Sequence, residues 1–314
     1  MSLTPRLPLA RSRVDRDAAS RKIPGFLDGL WSTEDTRVVV IWRGEALLAP
    51  GAEHVVDLRH PASVPAWRHR IYLGKTVDDH DGLATGTPIV AAVVDDATGA
   101  QIEPDMTRWT STRTLAHRLG DLHAGIVVEA LAMANWHDAH QFSPVTGAPA
   151  VSGQAGWVRV DQSSGRDLFP RTDAAVIVLV TDDQDRIVLG SNALWEANRY
   201  SLLAGFVEPG ESLEAAVVRE VFEESGLSVT DPEYVGSQPW PFPASLMVGF
   251  RARLDGSKGV ELRPDGSEII DLRWFGREDL VSSLDSIVLP GRTSIARAMI
   301  EQWLGREIPD GTAD

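Results

Sequence analysis

The chain has 314 residues, enough for two domains, with 43% hydrophobic side chains and a formal net charge of -15 from 45 acidic against 30 basic residues. That balance argues against non-specific nucleic-acid binding, which depends on neutralising phosphates, and suits a carboxylate-rich metal site. The absence of cysteine excludes disulfides, thiolate zinc sites and cysteine nucleophiles together.

The first stretch, "MSLTPRLPLARSRVDRDAASRK", carries several arginines but no continuous apolar signal core, and reads as a solvated arm. No apolar run approaches a membrane span, so a cytoplasmic protein with no membrane partner is expected. Between Arg37 and about Asp95, the runs "TRVVVIW" and "PIVAAVVDD" read as strands between Gly, Pro and Asp turns. Leu119 to His140 then follows a helical period, with Leu122, Ile126, Val127, Ala130 and Met133 on one side. His137 and His140 near its end read as helix-surface histidines rather than metal ligands. A loop-rich stretch fills Phe142 to Arg171. After it "AAVIVLV" (Ala174 to Val180) reads as a buried strand, and "IVLG" as its hairpin partner across "TDDQDR". The expected division is an N-terminal domain over 1–140, a linker over 141–169 and a C-terminal domain over 170–314.

The most informative segment is "GFVEPGESLEAAVVREVFEESGL", Gly205 to Leu227. Gly210 permits a tight turn, Ser212 is a plausible N-cap and Gly226 a plausible stop. At about 100° per residue, Glu220, Glu223 and Glu224 share about a third of the helix circumference. Like charges at these spacings repel. A divalent cation reverses the sign, because carboxylate oxygens are what Mg²⁺ and Mn²⁺ prefer. A solvated acidic face is the alternative for three glutamates taken alone.

The spacing of Gly205, Glu211, Arg219-Glu220-Val221, Glu223-Glu224 and Gly226-Leu227 resembles the Nudix box at every defined position. The resemblance implies a loop–helix–loop that binds divalent metal and hydrolyses a nucleoside diphosphate linked to another group. It implies Glu220, Glu223 and Glu224 as catalytic residues, with Glu220 and Glu224 as metal ligands and Glu223 a further ligand or water-orienting group. It also implies the Ala204 carbonyl as another ligand, and Arg219 with Glu211 as a structural tie. Mg²⁺ or Mn²⁺ is the expected cofactor. Non-catalytic binding modules built on the same fold remain an alternative.

Downstream lies "SQPWPFPAS", Ser237 to Ser245, with prolines at 239, 241 and 243. Three prolines at alternate positions remove ladder donors, so an ordinary inner strand is excluded. A stiff backbone loses little entropy on binding, and Trp240 and Phe242 offer planar apolar surface. The stretch resembles the signature of the NADH diphosphatase branch of the Nudix superfamily. By that resemblance, Gln238, Pro239, Trp240, Pro241, Phe242, Pro243, Ala244 and Ser245 form part of a dinucleotide pocket near a homodimer interface. Trp240 serves the pocket or the interface. Glu268, six residues before Trp274, resembles a metal-binding acid outside the helix; Phe206, Phe169, Arg113 and Ala296 resemble substrate-contacting positions.

Relatives carry a four-cysteine zinc ribbon in the linker. Here Ser143, Thr146, Asp161 and Ser164 stand in its place, so no structural zinc is expected. The implied fold is α+β: a β-rich N-terminal domain, a degenerate zinc-ribbon-like linker, and a C-terminal Nudix fold with a mixed sheet between helices (α-β-α). The implied reaction is metal-dependent hydrolysis of NADH or NAD to AMP and nicotinamide mononucleotide. Removal of NAD caps from RNA 5′ ends is the rival enzymatic reading, and an NAD or ADP-ribose sensor the non-catalytic one.

Overall fold

The computed structural model describes residues 2–309. It falls into two units: one holds residues 11–172 together with 240–244, the other the residues up to 10, 173–239 and those from 245 onward.

The first unit is built on seven strands, β1 (Val14–Asp15), β2 (Arg37–Trp42), β3 (Glu45–Leu47), β4 (Leu58–Arg59), β5 (His69–Thr76), β6 (Pro88–Val93) and β7 (Trp109–Ser111). They are ordered β1-β5-β6-β2-β3-β7, with β4 also on β2. The β-branched runs of β2 and β6 pair in parallel, Arg37 opposite Ile89 through Ile41 opposite Val93. Such strands are buried on both faces, and alternate residues do go to opposite sides. Val39 and Ile41 join one core with Leu122, Ile126 and Met133. Val38, Val40 and Trp42 join another with Trp109. The helices of this unit are α1 (Phe26–Trp31), α2 (Asp96–Ile102), α3 (Thr112–Leu115) and α4 (Asp121–Ala139).

α4 is buried on almost every side, which corrects the surface reading of His137. Its ring is fully buried, with Nε2 2.8 Å from the Gly156 carbonyl and Nδ1 3.0 Å from Arg159 Nη1. Burial pushes its pKa down to about 4, so it is neutral at physiological pH.

The linker forms a three-stranded sheet, β8 (Ala150–Gly153), β9 (Val158–Asp161) and β10 (Asp167–Leu168). Its hub is a carboxylate. Asp161, 1% exposed, accepts from Thr146 Oγ1 at 2.6 Å, from Ser163 N at 2.8 Å and Oγ at 2.7 Å, and from Ser164 N at 3.1 Å. The Thr146 hydroxyl first, then those of Ser143 and Ser163, hold its pKa far below the usual carboxylate range. Ser143 accepts from the Val145 and Thr146 amides. Residues aligned with the absent cysteines thus close the turn by hydrogen bonds.

The second unit contains β11 (Asp173–Thr181), β12 (Ile187–Asn192), β13 (Leu203–Phe206), β14 (Val229–Trp240), β15 (Ser245–Leu254) and β16 (Ile269–Phe275), with α5 (Leu213–Ser225), α6 (Arg277–Ser283) and α7 (Ile295–Leu304). The order is β14-β15-β11-β12-β16, and β13 pairs with β11. β11 runs parallel to β15 and antiparallel to β12 and β13, so the sheet is mixed. Val176, Val178 and Val180 pack with Val217 and Val221 of α5; Ile177 and Leu179 pack with Ile295, Met299 and Ile300 of α7. This is the expected α-β-α layering.

The N-terminal arm is not a freely solvated segment over residues 2–10. Leu3 and Leu7 are 2% and 0% exposed in the α7-side core, and the Leu3 amide donates to the Val235 carbonyl at 2.7 Å. The burial of these leucines outweighs the charge of Arg6 between them, which stays exposed. Among the described residues, no helix is long and apolar enough to cross a membrane.

Candidate active site

The box folds as its residue types require. Gly210 turns with φ +90°, Ser212 Oγ caps the Ala215 amide at 3.2 Å, and Gly226 ends α5 with φ +72°. Val217 and Val221 are fully buried and fix the rotation of the helix. Its acids therefore fall on the side next to β13. Gly205 lets the Glu220 carboxylate lie against the β13 backbone, since a Cβ there would displace it.

Arg219 organises the acids. It grips Glu211 with two hydrogen bonds of 2.8 Å, donates to the Phe206 carbonyl at 2.9 Å, and reaches Glu220 and Glu223 at 2.8 and 2.9 Å. Glu211 is lowered to about 2, chiefly by Arg219. The tie between loop and helix is bidentate and planar, which lysine could not supply.

Glu224 differs from its neighbours. It is 5% exposed and accepts one hydrogen bond, from the Ala204 amide at 3.2 Å. Burial, then the charges of Glu220 and Glu268, push its pKa up to about 8. Burial also raises Glu220, against the opposing pull of Arg219. Glu268 comes from the loop before β16, where Asn192 Nδ2 lies 3.5 Å from its carboxylate. The sequence reading missed Asp265, whose carboxylate accepts from the Glu268 amide at 2.7 Å and the Ile269 amide at 3.0 Å and so pins that loop. Its signal is the "PDGSE" turn, with an Asp side chain free to bond backbone ahead of it.

Hard oxygen donors on one surface, one of them destabilised by like charge, fit a divalent cation in chemistry. Among the described residues, no three such side chains converge tightly enough to hold an ion as they stand. Glu220 and Glu223 turn toward Arg219, so closure on a cation requires them to turn back.

The residues of the proline stretch separate. Pro239 lies near the end of β14, an edge strand, where a missing donor is tolerated. Gln238 is fully buried and its amide is already used, donating to the Thr293 carbonyl at 2.9 Å and accepting from the Ile295 amide at 2.8 Å. Both ends of its amide are therefore spent on anchoring the start of α7 and are not free for a ligand. Ala296 is 1% exposed in the α7-side core, while Phe206 is 59% exposed. Ser245 opens β15 and is half-buried.

Trp240 to Ala244 pack in the first unit. The Trp240 and Phe242 rings meet edge to face at 5.0 Å, and the Arg113 guanidinium lies 5.5 and 6.0 Å from their centroids. Pro241 is buried, Pro243 exposed and Ala244 half-buried. Phe169, in the same unit, is 69% exposed.

Residues 170–298 match the NUDIX domain, and residues 35–136 match the NADH pyrophosphatase-like rudimentary NUDIX domain. A protein of Mycobacterium bovis (strain BCG / Pasteur 1173P2) named NAD-capped RNA hydrolase NudC is 37% identical over 307 residues, 95% of this chain and 92% of the relative. The chain belongs to the NADH pyrophosphatase branch of the Nudix hydrolase family. A NudC of Stutzerimonas stutzeri is 34% identical over 245 residues, 77% of this chain and 83% of that one. Among solved structures, a NUDIX hydrolase from Nitrosomonas europaea covers 53% of this chain and 94% of its own, with 20% identity and a TM-score of 0.42. The first unit of this Nudix hydrolase is thus matched by a rudimentary copy of the domain whose acidic box lies in the second.

Proposed function

We propose that this Nudix hydrolase cleaves the pyrophosphate of NADH and NAD, releasing AMP and nicotinamide mononucleotide. The observation that carries the reading is the acidic face of α5, with Glu224 buried beside Glu220 and Glu268 so that ionisation there is held in check. Mg²⁺ or Mn²⁺ would be held by Glu220, Glu223, Glu224 and Glu268 with the Ala204 carbonyl. When bound, such an ion neutralises phosphate charge and lowers the pKa of the attacking water.

The protein's own residues supply the rest. Arg219 keeps the loop in register with the helix through Glu211 and the Phe206 carbonyl. One of the three box glutamates takes the proton from water. Trp240 and Phe242 offer stacking surface to a base or the nicotinamide ring, as does the exposed Phe206. Pro241, Pro243 and Ala244 shape the surface beside the Trp240 and Phe242 rings, with Arg113 next to them, while Pro239, Ser245 and Phe169 are further proposed substrate contacts. The active form is proposed to be a cytoplasmic homodimer.

A second reading, removal of NAD caps from RNA 5′ ends, is favoured by the names of the relatives. It uses the same bond. AMP release from NADH, NAD, ADP-ribose and NAD-capped RNA, each with and without Mg²⁺ or Mn²⁺, ranks the substrates. No metal-dependent release from any of them would overturn the enzymatic reading in favour of a binding module.

A further inference from the structure

We infer that Asn135 of α4 is a positioning residue for dinucleotide binding, because it holds the Trp240–Ala244 loop in its ring-presenting shape. The inference rests on the reading of that loop as part of the substrate pocket. Prolines at 241 and 243 have no backbone N–H, so the loop can do little to tie itself. Its one short internal bond runs from the Phe242 amide to the Trp240 carbonyl at 2.8 Å. The carbonyls of Pro241 and Pro243, on either side of Phe242, must be fixed from outside.

Asn135 Nδ2 does this, donating to Pro241 O at 2.9 Å and to Pro243 O at 3.1 Å. Two acceptors facing one amide group fix which end is nitrogen, since only –NH₂ can serve both. Asparagine is a poor residue for a helix interior, so helix formation does not account for it at this position. The two bonds bracket Phe242, whose ring sets the edge-to-face contact with Trp240 under Arg113. Beside them lies a shallow, open depression lined by Pro241, Phe242 and Pro243 with Arg43, Ser111 and Asn135.

The test uses the full chain with Mg²⁺ and NADH, comparing Asn135→Leu, Asn135→Asp and Trp240→Ala. Leucine keeps the bulk and removes both donors, so KM should rise about tenfold, the worth of one to two hydrogen bonds, with kcat changing much less. Asn135→Asp should resemble Asn135→Leu at pH 8. It should move back toward the wild-type KM, measured at the same pH, as acid protonates the new carboxyl and restores one donor. A merely structural residue would give no such pH-dependent recovery. If Trp240→Ala raises KM while both Asn135 variants leave it unchanged, or only lower the melting temperature, the positioning role is overturned. If Trp240→Ala itself leaves KM unchanged, the pocket reading of the loop fails, and the inference with it.

Discussion

Replacing Glu224 by Gln should make the metal-free protein more stable and the enzyme almost inactive. Glu224 titrates at about 8 in the fold instead of its ordinary 4.5. A raised carboxyl pKa means that the folded chain holds a proton the unfolded chain has released. The stability it leaves intact below pH 4.5 is lost progressively as pH rises toward 8. At pH 7 the gap amounts to on the order of 3 kcal/mol, at about 1.4 kcal/mol per unit. Glutamine carries no charge in either state, can still accept from the Ala204 amide, and removes this cost. The same change removes a proposed metal ligand, so kcat should fall by about 10²–10³-fold, the worth of several kcal/mol of charge stabilisation. Urea unfolding in chelator at pH 5, 7 and 8.5 should show the stability gain growing with pH up to about 8. AMP release from NADH should show the loss of turnover. Glu214, exposed in the first turn of the same helix, is the control; Glu214→Gln should be nearly silent in both assays. A metal-free Glu224→Gln protein less stable than wild type at pH 7, or near-normal turnover at saturating Mg²⁺, would refute the reasoning.

Pro241→Gln restores a backbone donor and frees φ at a buried loop position, so NADH binding, dimer affinity or both should weaken while metal affinity survives. Sedimentation and NADH kinetics check this, and no change in either would reduce the prolines to a stiff turn. The purified protein should contain no stoichiometric zinc and should keep its fold in a strong chelator, while activity disappears until Mg²⁺ or Mn²⁺ returns. Elemental analysis finding one tightly held zinc per chain contradicts this. Asp161→Asn replaces an acceptor-only carboxylate by an amide that cannot take all four hydrogen bonds. Because the carboxyl pKa is depressed, its contribution is present throughout the neutral range and lost only in strong acid. The variant's melting temperature should therefore lie below wild type at pH 5 and pH 8 alike; equal melting would show that the linker does not depend on this carboxylate.

The acidic helix was legible because every element of it is local. Ser212 and Gly226 cap it, and Val217 and Val221 set its rotation. The acids then follow from the 3.6-residue period alone. The buried strand Ala174–Val180 and the paired runs in β2 and β6 were legible for the same reason. The proline stretch was legible as a non-strand within the sheet interior, and it does end an edge strand. What periodicity could not encode was the use of each side chain. Gln238 looks like a free amide in sequence, yet two groups more than fifty positions away consume both of its ends.

The misreadings share one physical cause: a polar side chain defaults to solvent unless its partner is known, and partners here come from distant segments. α4 shows it most clearly. Five apolar positions marked a face, but the helix is buried almost all round, and a helix without a solvent side has no polar stripe to give its orientation. Its buried His137 depends on Gly156 and Arg159, and its buried Glu129 faces Arg16 at 3.6 Å. Burial pushes Glu129 up to about 7, while Arg16 and Arg21 oppose the shift. None of these pairings has a local signature. Asn135 belongs to the same class, 106 residues before the nearer of the two carbonyls it holds. Local pattern therefore finds the acids proposed to do chemistry on one helix, whereas a residue proposed to position a loop emerges only when the donors and acceptors of the whole fold are matched.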